Sequence, residues 1–200
     1  MLQKPQHVAR LHCLGEDSAA AESRQRAMSG GMGLTISDEA ASCLPAIKDG
    51  LVIVGLKADS SEAAIRLLSE RLLRWGYVTS EFADATVERE LTFPTGIPAQ
   101  IPVAIPHCDA CYSRKSAIAF GRLEQPVRFG EMGALGRTIE VELVFLLALH
   151  DPESQVHWLK KLADFFQERE PLAGLLSLGS EHEVARYLRR HIIGDGRGGE

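Results

Sequence analysis

Ile101-Pro102-Val103-Ala104-Ile105-Pro106-His107 is a short apolar run that ends in a proline and then a histidine. It reads as a strand, and Pro106 holds its own φ near about −65° just before the chain turns. A strand end is a rigid mount. The imidazole that follows is therefore either a solvated loop residue or a positioned chemical group.

Outward from this run the periodicity alternates between strand and helix. Leu51-Val52-Ile53-Val54, bounded by Gly50 and Gly55, is β-branched and strand-like. Asp59-Ser60-Ser61-Glu62 offers helix caps, Ala64, Leu68, Leu72 and Trp75 follow at helical spacing, and Gly76 is placed to end the helix. A second helix is expected from Ser80, carrying Phe82, Ala85 or Thr86, and Arg89, and stopping before Phe93-Pro94-Thr95-Gly96. Strands are expected over 101–106, 117–123 and 139–149; in the last, Ile139, Val141, Leu143 and Phe145 alternate before the run becomes wholly apolar. Asp151-Pro152-Glu153 opens a long helix with Val156, Leu159, Leu162 or Ala163, and Phe166 as its inward stripe. Two short helices near 171–176 and 180–190 complete the pattern. The predicted fold class is α/β, a three-layer α/β/α sandwich with a central mixed β-sheet.

The chain has 200 residues, 45% of them hydrophobic, which suits one domain with length to spare for tails. Residues 1–33 read as a disordered N-terminal tail because Gly, Ser, Ala, Gln and Arg dominate their second half. The folded domain is expected over 34–193, with a flexible tail at 194–200. A net charge of −5 argues against a general nucleic-acid binder. No window is long and apolar enough to insert directly in a membrane, and the N-terminus has no secretory pattern, so a cytoplasmic location is expected. There is no Gly-x-Gly-x-x-Gly and no Walker loop to cradle a nucleotide. Any phosphate handled here must arrive on something other than bound ATP.

Cys108-Asp109-Ala110-Cys111 follows the histidine directly. A lone Cys-x-x-Cys can be a redox pair or half of a zinc site. No convincing second ligand pair accompanies it, so incidental loop residues are the plainer reading and a thiol or metal protein the alternative. His107 itself can act as a nucleophile near neutral pH, because a neutral imidazole keeps one free lone pair. Arg89 can supply the fork of donors that a phosphoryl group needs. On spacing alone, however, the plainer reading is a solvated helix arginine paired with Glu88 or Glu90.

The run Glu88-Arg89-Glu90-Leu91-Thr92-Phe93-Pro94-Thr95-Gly96, the Ile-Pro-His element and Arg122-Leu-Glu-Gln-Pro-Val-Arg-Phe129-Gly-Glu-Met-Gly133 occur in that order. Together they resemble the IIA phosphocarrier of the bacterial sugar phosphotransferase system, fructose/mannitol type, closest to its galactitol-type subgroup, over about residues 48–190. The resemblance implies that His107 accepts a phosphoryl group from the carrier protein HPr. It then passes that group to a cysteine of a cognate IIB component, with the IIC sugar permease served indirectly. Arg89 stands where the family keeps its phosphate-binding arginine. Aligning Lys161-Leu162-Ala163 with the family's similar segment places Gln155 where many members carry a second histidine. Thr95, through hydroxyl or backbone, and Cys108, through its backbone N–H, are further candidates for binding phosphoryl oxygens. No metal or organic cofactor is implied. A regulatory, nitrogen-type IIA is the rival reading within the family.

Overall fold

Residues 138–148 form the central strand of the sheet, and their alternation separates two cores. Leu143, Phe145 and Leu147 point to one face, Val144, Leu146 and Ala148 to the other, and all six are buried. The computed structural model describes residues 44–134 and 136–194. The tail expected at 1–33, the domain start expected at 34 and residues 195–200 lie outside the described residues.

Five strands, β1 (Val52–Leu56), β2 (Gly96–Ile97), β3 (Val103–Ala104), β4 (Ala117–Gly130) and β5 (Thr138–Ala148), assemble in the order β1-β4-β5-β3-β2. β1 runs parallel to β4 and β3 parallel to β5, while β4–β5 and β2–β3 are antiparallel, so the sheet is mixed. Helices α1 (Ser61–Arg74) and α2 (Phe82–Thr92) cover one face; α3 (Pro152–Gln167), α4 (Arg169–Ser177) and α5 (Glu181–Leu188) cover the other. The three layers expected from sequence are present. On the second face Phe145 is the hub, edge-on to Phe120 at 5.0 Å and tilted against Phe166 at 5.0 Å between ring centroids.

Local chemistry explains most boundaries. Ser60 caps α1 by accepting from the Ala63 N–H at 3.2 Å, and Gly76, at φ 72°, follows its end in the left-handed region. Ser180 and Glu183 form a reciprocal capping box at the start of α5. β4 runs to Gly130, beyond the expected end at 123. Its pairing with β5 breaks between Arg122 and Val127, and Pro126, which has no N–H to contribute to a ladder, falls in that interruption. Arg122 crosses to the far layer and donates to the carbonyls of Leu175, Leu176 and Leu178, which leave α4 without helical partners.

Four further sequence expectations change. Trp75 is the C-cap of α1 and about half exposed, lying against Gly50 and Lys48 instead of extending the buried stripe. Val156 is 73% exposed, and the inward stripe of α3 is Trp158, Leu162, Phe165 and Phe166. α2 begins at Phe82, two residues after Ser80. The strand expected over 101–106 is regular only at Val103–Ala104, because Pro102 and Pro106 have no N–H to extend its ladder; beyond it, an isolated bridge pairs His107 with Leu147.

Candidate functional site

α2 and the strand edge meet at His107. Pro106 and the His107–Leu147 bridge hold the backbone there, with the Leu147 N–H donating to the Pro106 carbonyl at 3.0 Å. The ring is held at both nitrogens. Nδ1 lies 2.8 Å from the Ile105 carbonyl, which can only accept, and Nε2 lies 3.2 Å from Nη2 of Arg89, which can only donate. One neutral tautomer satisfies both: the proton on Nδ1, the lone pair on Nε2. Burial pushes the imidazole below its ordinary value and the neighbouring Arg89 charge adds to that shift, against the opposing pull of the Ile105 carbonyl and Asp109. Near neutral pH the ring is therefore uncharged, with its free lone pair aimed at a cation.

Arg89 is half-buried near the end of α2. It is not spent on Glu88 or Glu90 as a surface arginine would be. Its guanidinium carbon sits 5.6 Å from the centroid of the Phe93 ring, and its buried Nε has no partner. The fork is thus held against an aromatic face with donor capacity to spare, beside the one free lone pair of the imidazole.

Gln155, in the first turn of α3, reaches the same loop from the other side of the sheet. Its amide Nε2 donates to the Cys108 carbonyl at 3.2 Å, leaving its carbonyl oxygen and second N–H available. Cys108 turns its thiol into the first core, toward the Phe82 carbonyl at 4.0 Å, and burial pushes that thiol up to about 12. The side chain is packing, and only its backbone faces the histidine loop. Thr95 is buried, and both its donors are committed: the backbone N–H to Glu90 Oε1 at 3.0 Å and the hydroxyl to Glu90 Oε2 at 2.7 Å. The structure thus brings His107, Arg89, Gln155 and Cys108 together, and gives the Thr95 donors to a carboxylate.

That carboxylate is what sequence reasoning passed over. Phe82, Thr86 and Glu90 recur every four residues on the buried face of α2. A glutamate on such a stripe must have donors waiting for it, which was the legible signal. Burial raises the Glu90 carboxyl above its ordinary value, opposed by the two Thr95 hydrogen bonds and by Arg89.

The turn at 93–96 also explains two glycines. A Cβ on Gly96 would stand 2.5 Å from the Gly130 carbonyl oxygen, and one on Gly130 would stand 2.6 Å from Pro94 Cβ. The Phe93-Pro94-Thr95-Gly96 turn and the Arg128-Phe129-Gly130 strand end fit only because both side chains are missing. Other histidines do other work. His150 donates from Nδ1 to the Ser113 carbonyl at 2.7 Å, exposed His157 packs edge-on to Trp158, and His182 pairs with Asp49. Cys108 is a free thiol, so Cys108 and Cys111 are not bonded to each other. Among the described residues no group of three His, Cys, Asp or Glu side chains is placed to hold a metal ion. Nor is any described helix long and apolar enough to cross a membrane.

Fold and site define an α/β domain with a positioned imidazole and a cationic fork beside it. Comparison with known proteins agrees. A family model described as "Phosphoenolpyruvate-dependent sugar phosphotransferase system, EIIA 2" matches residues 46–191. The galactitol-specific EIIA component of Escherichia coli strain K12 is 30% identical over 136 residues, 68% of this chain and 89% of that protein. Among solved structures, the mannitol IIA of Escherichia coli aligns with a TM-score of 0.59 at 26% identity, over 72% of this chain and 99% of that one. The Escherichia coli complex of enzyme IIAMTL and phosphorylated enzyme IIBMTL aligns with a TM-score of 0.60 at 24% identity, over 76% and 99%, and shares the fold. The chain belongs to the EIIA type-2 family, a component of the sugar phosphotransferase system.

Proposed function

We propose that this protein is a phosphocarrier in which His107 Nε2 accepts a phosphoryl group from a phosphohistidine on HPr and passes it to a cysteine of a cognate IIB, of galactitol type. The observation that carries the reading is the single free lone pair of His107 beside a partly unpartnered Arg89. In the accepting step the P–N bond to the donor histidine breaks as the P–Nε2 bond forms, and charge on the three equatorial oxygens is met by the Arg89 fork. The proton stays on Nδ1 throughout, donated in a hydrogen bond to the Ile105 carbonyl. Gln155 offers a neutral donor that cannot titrate, and the Cys108 backbone closes the loop around the ring. Passing the group on reverses the geometry, with the IIB thiolate attacking phosphorus and His107 leaving as the same neutral tautomer.

Both transfers need a partner that excludes water. Ile97 and Ile101, the apolar residues nearest the turn and strand that lead to His107, pack partly into the second core. Apolar exposure lies instead at Leu91 (78%), Phe93 (62%) and Val156 (73%). Phe93 touches Arg89 and Val156 follows Gln155, so these side chains suit the rim of a docking face in a cytoplasmic relay.

The test is incubation with phosphoenolpyruvate, enzyme I and HPr, followed by intact-mass measurement. One acid-labile phosphoryl group should appear on the wild type and be absent from His107→Ala. Normal labelling of His107→Ala would end this reading.

A further inference from the structure

We propose that Glu90 is a positioning residue that, acting through Thr95 and Ile105, fixes which ring nitrogen of His107 is free. The inference rests on the reading of His107 as the phosphoryl acceptor, because it concerns how that residue is set for the task.

The connection can be followed bond by bond. The Glu90 carboxylate accepts from both the N–H and the hydroxyl of Thr95, at 3.0 and 2.7 Å. The Thr95 carbonyl in turn accepts from the Ile105 N–H at 3.4 Å. The Ile105 carbonyl then accepts from His107 Nδ1 at 2.8 Å. Beside this chain the antiparallel pairs Gly96–Ala104 and Ile97–Val103 carry the same register forward, so moving Thr95 moves the peptide that bears the Ile105 carbonyl.

Burying a carboxylate is costly, and a turn that needed only stability would be better served by an apolar side chain of the same size. Glu90 is 6% exposed and Thr95 3% exposed. Both oxygens of the acid are used, and both go to one residue. That arrangement fixes Thr95 in rotation as well as position, which a hydrophobic contact cannot do. Arg89 precedes Glu90 on the same helix, so one helical segment presents the cation to Nε2 and sets the acceptor at Nδ1. Both nitrogens of the ring are therefore governed from α2.

The experiment uses the full-length, nitrogen-15-labelled protein and three variants, Glu90→Gln, Thr95→Val and Thr95→Ser. Long-range proton–nitrogen spectra of the imidazoles, with His107 identified by its loss in His107→Ala, report which ring nitrogen bears the proton. Initial rates of phosphoryl uptake from phosphorylated HPr are measured on the same samples. Glu90→Gln puts an amide donor where an acceptor stood, and Thr95→Val removes the hydroxyl alone. Both should let the Nε2-protonated tautomer appear and should slow uptake by roughly tenfold. Thr95→Ser, which restores the hydroxyl, should recover most of the difference, and Thr95→Val carries the test if Glu90→Gln does not fold.

If both variants keep the wild-type tautomer and rates within about twofold while melting earlier, Glu90 only stabilises the turn and the proposal is overturned. If the wild type takes up no phosphoryl group yet the tautomer shifts in the variants, the Glu90 connection stands and the phosphocarrier reading fails.

Discussion

Replacing Arg89 with alanine should separate the chemistry of the site from its stability. The side chain contributes little to the fold. Its Nη2 is turned to His107, its Nε bonds to nothing, and the ring it stacks on, Phe93, is itself mostly exposed. Removing it should therefore change unfolding free energy by less than about 1 kcal/mol. The loss at the transition state is much larger. Deleting an aimed donor from a site of developing negative charge costs about 10²–10³ in rate, or about 2.7–4 kcal/mol. Lysine keeps the charge but not the planar fork, so Arg89→Lys should regain no more than about tenfold. A second effect must be kept apart from the first. Arg89 helps hold His107 below its ordinary value, so its loss raises that value and protonates more of the Nε2 lone pair near neutral pH. Measuring at about pH 8 removes this contribution, since the imidazole is then neutral in either protein. The assay is quenched-flow uptake from phosphorylated HPr read by intact mass, with thermal melts alongside. A folded Arg89→Ala protein that accepts phosphoryl within about threefold of the wild-type rate at that pH would refute the role given to the guanidinium.

Two further outcomes follow from the geometry. Burial and Arg89 lower the His107 value below 6.5, so its proton leaves at lower pH than usual; uptake should climb with pH only below that point and be flat from about pH 7 to 8, and an NMR titration midpoint above 6.5 would contradict this. Gly130→Ala places a Cβ 2.6 Å from Pro94 Cβ and should cost about 1–3 kcal/mol, with a lowered melting temperature; an unchanged melt would show that the 93–96 turn does not need that close approach.

The parts of the fold that were legible in sequence are those governed by one local rule. Ser60, Gly76 and Pro152 mark helix ends through capping and φ preference, and the alternation in β5 announces a strand with two buried faces. Where two rules competed, the reading slipped. Trp75 continues the helical spacing of α1, yet Gly76 ends the helix there and leaves the indole against Gly50 and Lys48. Val156 fits a period of three or four on α3 as well as Trp158 does, and only the packing of the helix on the second core, where Phe165 and Phe166 meet Phe145, shows that Trp158 is on the buried side and Val156 is not.

The site divides in the same way. His107 stood out because a strand end and Pro106 hold it rigidly, but that setting alone also suits a solvated loop histidine or a metal ligand, and only the order of the three motifs pointed to a phosphoryl acceptor. Arg89 was ambiguous by spacing, since Glu88 and Glu90 flank it. It is a candidate site residue because Glu90, an acid that might have neutralised it, turns inward to Thr95. Glu90 thus has two effects at once: it holds the turn, and by facing the core it leaves the neighbouring guanidinium's donors to the histidine. The ring is consequently set before any partner arrives, with a hydrogen bond at each nitrogen and a thiol below it too protonated to compete as a nucleophile. What the isolated protein does not supply is a dry surrounding. Leu91, Phe93 and Val156 remain open to solvent. A phosphohistidine formed here would therefore be shielded from water only while a partner covers those side chains, and transfer rather than hydrolysis would depend on that contact.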